Sequence, residues 1–593
     1  MSEEELPYFP NSFDVPAQDA ITLVEYRMRV LIGEIIEKPN WWIKVCDNDI
    51  VGKWRAEFIE HDAERVRRFW PEDVNKQKED INERMSSRLR RVPTREGRPW
   101  PRKVITDVQL DYIFDWLRWL ADEREAKSGV EATHILNVYQ SCKLIPAELR
   151  EALIRGAAAL ETVPEAEKDW HPRSNRQVLD LVHPSLYCFR IGKSLAKNPE
   201  TGSLHAPLIE QYIQQREDLK RFSYGWKPNS LSIQHQWLPT DFSVSETGSV
   251  ASLSYINNLH PDDHKSLYQT ISAVIERFVP LWERVLGDLH MRQEPLIVVD
   301  PYLWYDEGPR RATPEPQEED FVDIYPEHEY TGRRAYWAAC SIWEENNEPF
   351  VPEPQAFTPP ERNVYTLRDR NIQVIVKMAN IVLTPENPEY PGGSWHVEGM
   401  LNESIVATGI YYYDSANITE SKLSFRQALD SDSSLSYQQG DTKGYLQVYG
   451  IDGNGGPLNQ ELGSVVTKEG KCLVFPNIWQ HRVSPFRLVD PAKPGHRKIL
   501  CFFLVDPTVT ILSTSSVPPQ QYEWYMREAE RIPGMGTLPR ELQDMVTDEL
   551  RKDGAITLEQ AKEEREKLME ERANFVVIQN KEVYELGFNM CEH

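Results

Sequence analysis

The sequence runs to 593 residues, with 67 Lys and Arg against 93 Asp and Glu, a net charge of −26, and 40% hydrophobic and 27% charged residues. That length exceeds what one core organises, so roughly two to four structural units are expected, in a composition ordinary for a globular protein. The acidic balance excludes a non-specific nucleic-acid or anionic-membrane surface, which needs clustered Lys and Arg.

The opening Met1-Ser2-Glu3-Glu4-Glu5-Leu6 lacks the basic-then-apolar order of a secretory signal, and no apolar run approaches bilayer-spanning length. The expectation is an intracellular protein, cytoplasmic or nuclear, with neither membrane nor nucleic acid as a partner. Seven cysteines are scattered without a Cys-x-x-Cys, which fits neither a zinc knuckle nor a disulfide framework.

In chain order, the first third reads as helical, with one segment from beyond Pro16 to the Pro39-Asn40 breaker and others near 53–70 and 106–126. Leu110, Ile113, Leu117 and Leu120 share a helical face, the pattern of a core stripe. From 169 the texture is mixed, with an apolar run at 178–187, an aromatic-rich stretch at 222–237 and a helix over 266–286. The Pro- and Glu-rich stretch 294–362 has poor periodicity and reads as a long connection. Between 371 and 507 the period becomes two, with strands expected at 372–383, 405–413, 422–425, 444–449, 472–475 and 498–505. Past 520 helix returns, and Thr557 with Gln560 forms a capping box opening a charged helix over 558–572, read as a solvated brace or interaction arm.

Five units follow from this reading: a helical region 1–168, a mixed region 169–293, a connection 294–362, a β-rich core 363–512 and a helical arm 513–593. The helical regions offer surfaces for a homo-oligomer.

In Ser394-Trp395-His396-Val397-Glu398 the imidazole and the carboxylate lie two residues apart, so on a strand both project from one face. His481 closes the segment that begins at Gly470, on a stretch distant in sequence. Two histidines and one carboxylate leave coordination positions open, the facial arrangement of non-haem iron(II) oxygenases.

The order of features resembles the prolyl-hydroxylase-type branch of the iron(II)/2-oxoglutarate oxygenases. It comprises His396-x-Glu398, the strand 405–413, the turn Asp414-Ser415-Ala416-Asn417, Lys422-Leu423-Ser424-Phe425, Gly470 to Pro476, His481-Arg482-Val483-Ser484-Pro485 and Gly495-His496-Arg497. The resemblance covers about 140 residues and implies an α+β protein built on a double-stranded β-helix, a jelly roll, with extensive helical N-terminal and C-terminal regions. It further implies iron(II) held by His396, Glu398 and His481, with Arg497 binding the distal carboxylate of the cosubstrate 2-oxoglutarate. Molecular oxygen and an unidentified substrate would complete the reaction, a hydroxylation releasing succinate and carbon dioxide. Two positions depart from the family: Glu398 stands where most relatives carry Asp, and Ser421-Lys422 replaces a Gly-Gly. The flanks, including 178–187 and 254–261, resemble a large, mostly uncharacterised fungal family.

Other readings of the same residues remain open. The barrel fits a non-catalytic scaffold, or a cupin-type metalloenzyme that needs no clamp such as Arg497, while Arg497 could pair with Asp490 or Asp506. His260, Asp262, Asp263 and His264 resemble a second metal cluster, but Pro261 and acids at a helix start account for them. Lys377, Asn380, Trp395 and Tyr411 to Tyr413 line the pocket if they face inward, and alternation puts Tyr412 opposite its two neighbours.

Overall fold

The computed structural model describes residues 9–590 apart from 11, 14–17, 71–98, 221–229, 292–293, 307–314, 323–328, 347, 430–440, 535–536 and 553. The opening residues 1–8 and parts of the aromatic stretch 222–237 and of the connection 294–362 therefore lie outside the described residues.

Three helices, α1 (Leu23–Ile36), α2 (Asn48–Phe69) and α3 (Asp107–Glu123), share one apolar core. Each starts on a side-chain cap, from Thr22, Asp47 and Thr106, which satisfies amide groups that have no partner inside the helix. The α3 stripe Leu110, Ile113, Leu117 and Leu120 is buried in this core. Within the Pro- and Glu-rich stretch, expected to be a connection, the chain instead forms a helix over Glu329–Asn346.

The protein is α+β, and its antiparallel strands fall into a large sheet facing a small one. The strands are β1 (Tyr139–Ser141), β2 (Val178–Val182), β3 (Thr240–Val244), β4 (Arg370–Leu383), β5 (Ile405–Ala416), β6 (Lys422–Ala428), β7 (Asn459–Val466), β8 (Cys472–Pro476), β9 (Gln480–Val483) and β10 (Gly495–Val505). In the nine-stranded sheet the central order is β1-β8-β5-β10-β4, and β2 and β3 divide the far edge of β4 between them. The three-stranded sheet runs β7-β6-β9. Beyond β9 it continues through the pairing of His396 with His481 and of Glu389–Tyr390 with Phe486–Arg487.

Two further helices cover the outer face of the large sheet. From α4 (Ala147–Glu161), Glu161 accepts hydrogen bonds from Asn380 and Lys498. From α5 (Lys265–Leu289), Phe278 and Trp282 pack on Phe502 at ring separations of 5.3 and 6.2 Å. A Cβ at residue 409 would lie 2.7 Å from the Phe278 ring, so Gly409 is what lets α5 approach the sheet.

At 444–449, where alternation predicts a strand, the chain forms helix α6 (Thr442–Val448), capped by Asp441, whose carboxylate accepts from the Gly444 amide. Tyr445 turns onto Trp304, 5.3 Å away between ring centres. The charged helix of the C-terminal region, α7 (Leu558–Gln579), which follows two shorter ones, opens on the expected Thr557/Gln560 capping box but lies against the body, with Arg565, Leu568 and Phe575 buried. Among the described residues no helix is long and apolar enough to cross a membrane.

Candidate metal and anion site

Strand pairing brings the two histidines face to face. His396 and His481 exchange backbone hydrogen bonds of 3.2 and 3.0 Å, and residues paired this way project to the same side. Glu398, two positions along, joins them: its Oε1 lies 3.8 Å from His396 Nε2 and 3.4 Å from His481 Nε2. The three candidate ligand atoms all lie within 4.8 Å of one another. His396 Nδ1 donates to the Ser394 carbonyl at 2.9 Å, so in the neutral ring the lone pair falls on Nε2, the tautomer a metal requires. Phe475 and Phe425 wall in the His481 ring, at 4.8 and 6.4 Å. His481 is 4% exposed and His396 34%, so the cluster opens to solvent on the His396 side.

The charges are tightly linked. Burial works against ionising Glu398, but hydrogen bonds from His396 and His481 outweigh it and hold the carboxyl well below its ordinary range. Burial likewise opposes the His396 imidazolium, and Glu398 outweighs it, so this ring sits above its ordinary value. His481 is pushed down by burial and by the charge of His396.

Asn477 supports this cluster and is invisible in the sequence, where it is one polar residue in a turn. Its Oδ1 accepts from the Glu398 amide, and its Nδ2 donates to the Glu398 carbonyl, both at 2.9 Å. The C-terminal region adds a second support: Phe575 of α7 packs on Val397 and Met400, and Arg572 donates to Glu403 at 2.8 Å. Just beyond α7, the Asn580 side chain accepts from Gln480, the neighbour of His481, at 2.8 Å.

The direction of each strand residue follows from what covers the outer face. Asn380 and Lys498 point out to Glu161 of α4, and Tyr413 donates to Asn380 at 3.3 Å, so Tyr411 and Tyr413 face outward. Tyr412, Lys377, Cys501 and Arg497 therefore face the interior. Trp395 turns the other way from His396, beneath the guanidinium groups of Arg426 and Arg482 at 4.8 and 4.4 Å.

Arg497 is 2% exposed and has no carboxylate partner among the described residues. Asp490 pairs with Lys493, and Asp506 accepts from the Phe9 and Thr508 amides. Arg497 Nη1 donates to Ser421 Oγ at 2.5 Å, so the serine at the departure from Gly-Gly steadies the guanidinium. Its flat faces meet Tyr412 and Phe486 at 5.4 and 5.2 Å, and Nε is buried without a partner among the described residues. Burial lowers its pKa.

A second group, His171, Asp180 and His183, also gathers three potential ligand atoms within 4.8 Å. Its hydrogen bonds suit protons better than a metal. His171 Nδ1 meets Asp180 Oδ2 at 2.8 Å, and the Ser185 amide donates to His183 Nδ1 at 3.2 Å, which puts the proton of the neutral ring on Nε2. Arg565 lies 3.9 Å from Asp180, a cation where a metal would have to sit among anions. His260 and Asp263 precede α5 and contact Arg527. Among the described residues they do not form a metal-binding group with Asp262 or His264.

The chain is thus an α+β protein carrying a two-histidine, one-carboxylate cluster between facing sheets. It belongs to a family of unknown function, DUF4246, whose profile matches residues 107–528, and the N-terminal domain of unknown function of that family matches residues 2–57. No curated protein matches the sequence. Among solved structures, the Fe(II)/(alpha)ketoglutarate-dependent dioxygenase TqaL is similar over 31% of this chain and 60% of its own, at 15% identity and a TM-score of 0.16. IDO from Bacillus thuringiensis is similar over 23% and 50%, at 12% identity and a TM-score of 0.15. The non-heme monooxygenase ThoJ, solved with nickel, is similar over 27% and 67%, at 12% identity and a TM-score of 0.14. The chain spans 50% and 60% of the first two structures, and TM-scores this low bear on neither fold nor activity.

Proposed function

We propose that the protein is an iron(II)- and 2-oxoglutarate-dependent oxygenase built on a double-stranded β-helix. The strand order supports the fold: counting β4, the 389–398 segment and β5 to β10 as one to eight, the large sheet runs 1-8-3-6 and the small one 2-7-4-5. The observation that carries the function is the convergence of His396 Nε2, His481 Nε2 and Glu398 Oε1 within a barrel that also holds Arg497, a buried guanidinium with no carboxylate partner among the described residues.

The residues present fit the metal: one carboxylate held ionised, two imidazoles, and a tautomer at His396 that leaves Nε2 free. Iron(II), with 2-oxoglutarate and oxygen, supplies the oxidising power that hydroxylates a substrate and releases succinate and carbon dioxide. The protein's own part is to hold and orient. His396, Glu398 and His481 would hold the metal, Asn477 fixes the backbone of Glu398, and Tyr412 and Phe486 keep the Arg497 fork aimed inward. A planar fork suits the distal carboxylate of 2-oxoglutarate, which it can meet through two parallel charge-assisted bonds.

The test is calorimetric titration of manganese(II), then of 2-oxoglutarate, into the full-length protein. One metal ion is expected per chain, with binding lost in His396→Ala and His481→Ala. Arg497→Met should weaken 2-oxoglutarate by at least about tenfold while leaving metal affinity nearly unchanged. Metal binding without any 2-oxoglutarate binding would replace this reading with the cupin-type one. Unchanged metal affinity in both histidine variants would end it.

A further inference from the structure

His235 lies outside the metal cluster and ties the C-terminal helix to the body. It sits on the short strand His235–Gln236, paired with Phe189–Arg190, and its ring is 2% exposed. Nε2 lies 3.2 Å from Glu564 Oε2 and Nδ1 lies 3.4 Å from Glu571 Oε2, so the ring spans two turns on one face of α7. An ionised carboxylate only accepts, so a ring with such an oxygen at each nitrogen is satisfied only as the imidazolium, which donates from both. Both carboxyls are held ionised. Burial works against ionising Glu564, but hydrogen bonds from Lys567 and His235 outweigh it and hold the carboxyl at about 2. Burial likewise opposes Glu571, and hydrogen bonds from His235 and Ser232 outweigh it.

The other charged groups at this joint are cations. Lys193 and Lys567 lie 3.7 and 3.0 Å from Glu564, Arg190 stands opposite His235 on the paired strand, and Arg572 acts on Glu571. The Cys188 thiol, pushed up to about 12 by burial, stays neutral. Histidine is the side chain that changes charge near neutrality, and a ring that loses its proton here sets a lone pair against a half-buried carboxylate. The ends of α7 are fixed whatever the state of this ring. Gln521 and Ile556 bridge before it, and Gly587–Asn589 pairs with Asn454–Pro457 beyond it. Between these anchors its buried apolar side chains are Ala561, Leu568 and Phe575, and ion pairs join them, Arg565 on Asp169 and Arg572 on Glu403. Arg572 and Phe575, within one turn of Glu571, are the residues that brace the turn after Glu398.

We propose that His235 is a pH-sensitive latch: as the imidazolium it clamps Glu564 and Glu571 and holds the middle of α7 on the Glu398 turn, and on losing its proton it lets that stretch loosen. The latch belongs to the metal-free chain, so it stands or falls apart from the oxygenase reading.

The experiment is amide hydrogen exchange of the full-length, metal-free protein from about pH 6 to about pH 8.5, corrected for the intrinsic rate at each pH. Protection in the middle of α7 should fall at least about tenfold as pH rises, since breaking a buried charge pair commonly costs more than that factor. The turn from Val397 to Glu403, which Phe575 and Arg572 brace, should lose protection with it. His235→Lys keeps a cation throughout and should hold α7 protected across the range, whereas His235→Gln should leave it at the loosened level with no response to pH. Glu571→Gln offers the neutral ring a donor in place of a repelling oxygen, so protection should persist at high pH. If His235→Gln does not fold, wild type and Glu571→Gln decide between them. His396 titrates in every one of these proteins, so its contribution cancels in the comparison. Exchange in α7 that ignores pH in the wild type, or a response that is the same in Glu571→Gln or His235→Gln, overturns the inference. So does a response in α7 that the Val397 to Glu403 turn does not share.

Discussion

At the scale of single residues, the site depends on groups that hold ligands as much as on the ligands. Asn477→Ala leaves the Glu398 amide without its acceptor and frees the turn that carries the carboxylate. Loss of such outer support costs metal sites about tenfold or more in affinity, and that drop in manganese(II) binding is the expected outcome, with thermal stability changing less. Glu398→Gln should likewise lose metal more than fold; a collapse in stability with metal binding retained would make Glu398 structural. Protons report on the same cluster. Because Glu398 holds His396 above its ordinary value of 6.5, most of these rings are protonated at that pH in the metal-free protein. Metal must displace that proton, so affinity should rise with pH through this region, and the calorimetric heat should vary with the ionisation enthalpy of the buffer. Heats that are the same in every buffer at pH 6.5 would contradict the assignment of His396.

At the scale of elements, two contacts decide whether the ligands stay in register. Gly409→Val would drive methyl groups into Phe278 and push α5 off the sheet, an overpacking expected to cost about 1–3 kcal/mol in urea unfolding. Phe575→Ala removes the ring of α7 that packs on Val397, between His396 and Glu398. A loss of about 3 kcal/mol is expected, with weaker metal binding alongside. The ligand pair is legible in the sequence because a strand sends residues two apart to the same side, and His481 because it ends a strand-like run. The docking of α7 is not legible, since the capping box announces a helix and says nothing of what it packs on. Strand β7 is hidden because its start, Asn459-Gln460-Glu461, is polar and Gly463 interrupts the alternation. Helix α6 reads as a strand because Tyr445 and Val448 favour strands locally, whereas Trp304, more than a hundred residues away, supplies the surface that favours the helix. The edge strands β2 and β3 come from far outside 363–512, and their pairing with β4 depends on contacts that no short window contains.

At the scale of the whole molecule, buried histidines set the response to acid. His134, at the joint between α1 and β7, and His183, beside Asp180, are each pushed down to about 3, chiefly by burial. A histidine whose folded pKa lies below its unfolded value of about 6.5 takes up its proton more readily in the unfolded chain. Stability is therefore unaffected by these two rings above about pH 6.5 and falls as pH drops from there towards 3, by about 1.4 kcal/mol per pH unit for each ring. His481 acts in the same direction, and His396, raised by Glu398, acts against them. His396 and His481 pull in opposite directions, whereas His134 and His183 pull together, so the metal-free protein should lose stability to urea from pH 6.5 to 5. His183→Asn removes one of these protons from the linkage and should lower that slope, whatever it does to stability at pH 7.5. A slope unchanged in His183→Asn would mean that His183 is charged in the folded protein, paired with Asp180 instead of held neutral by burial.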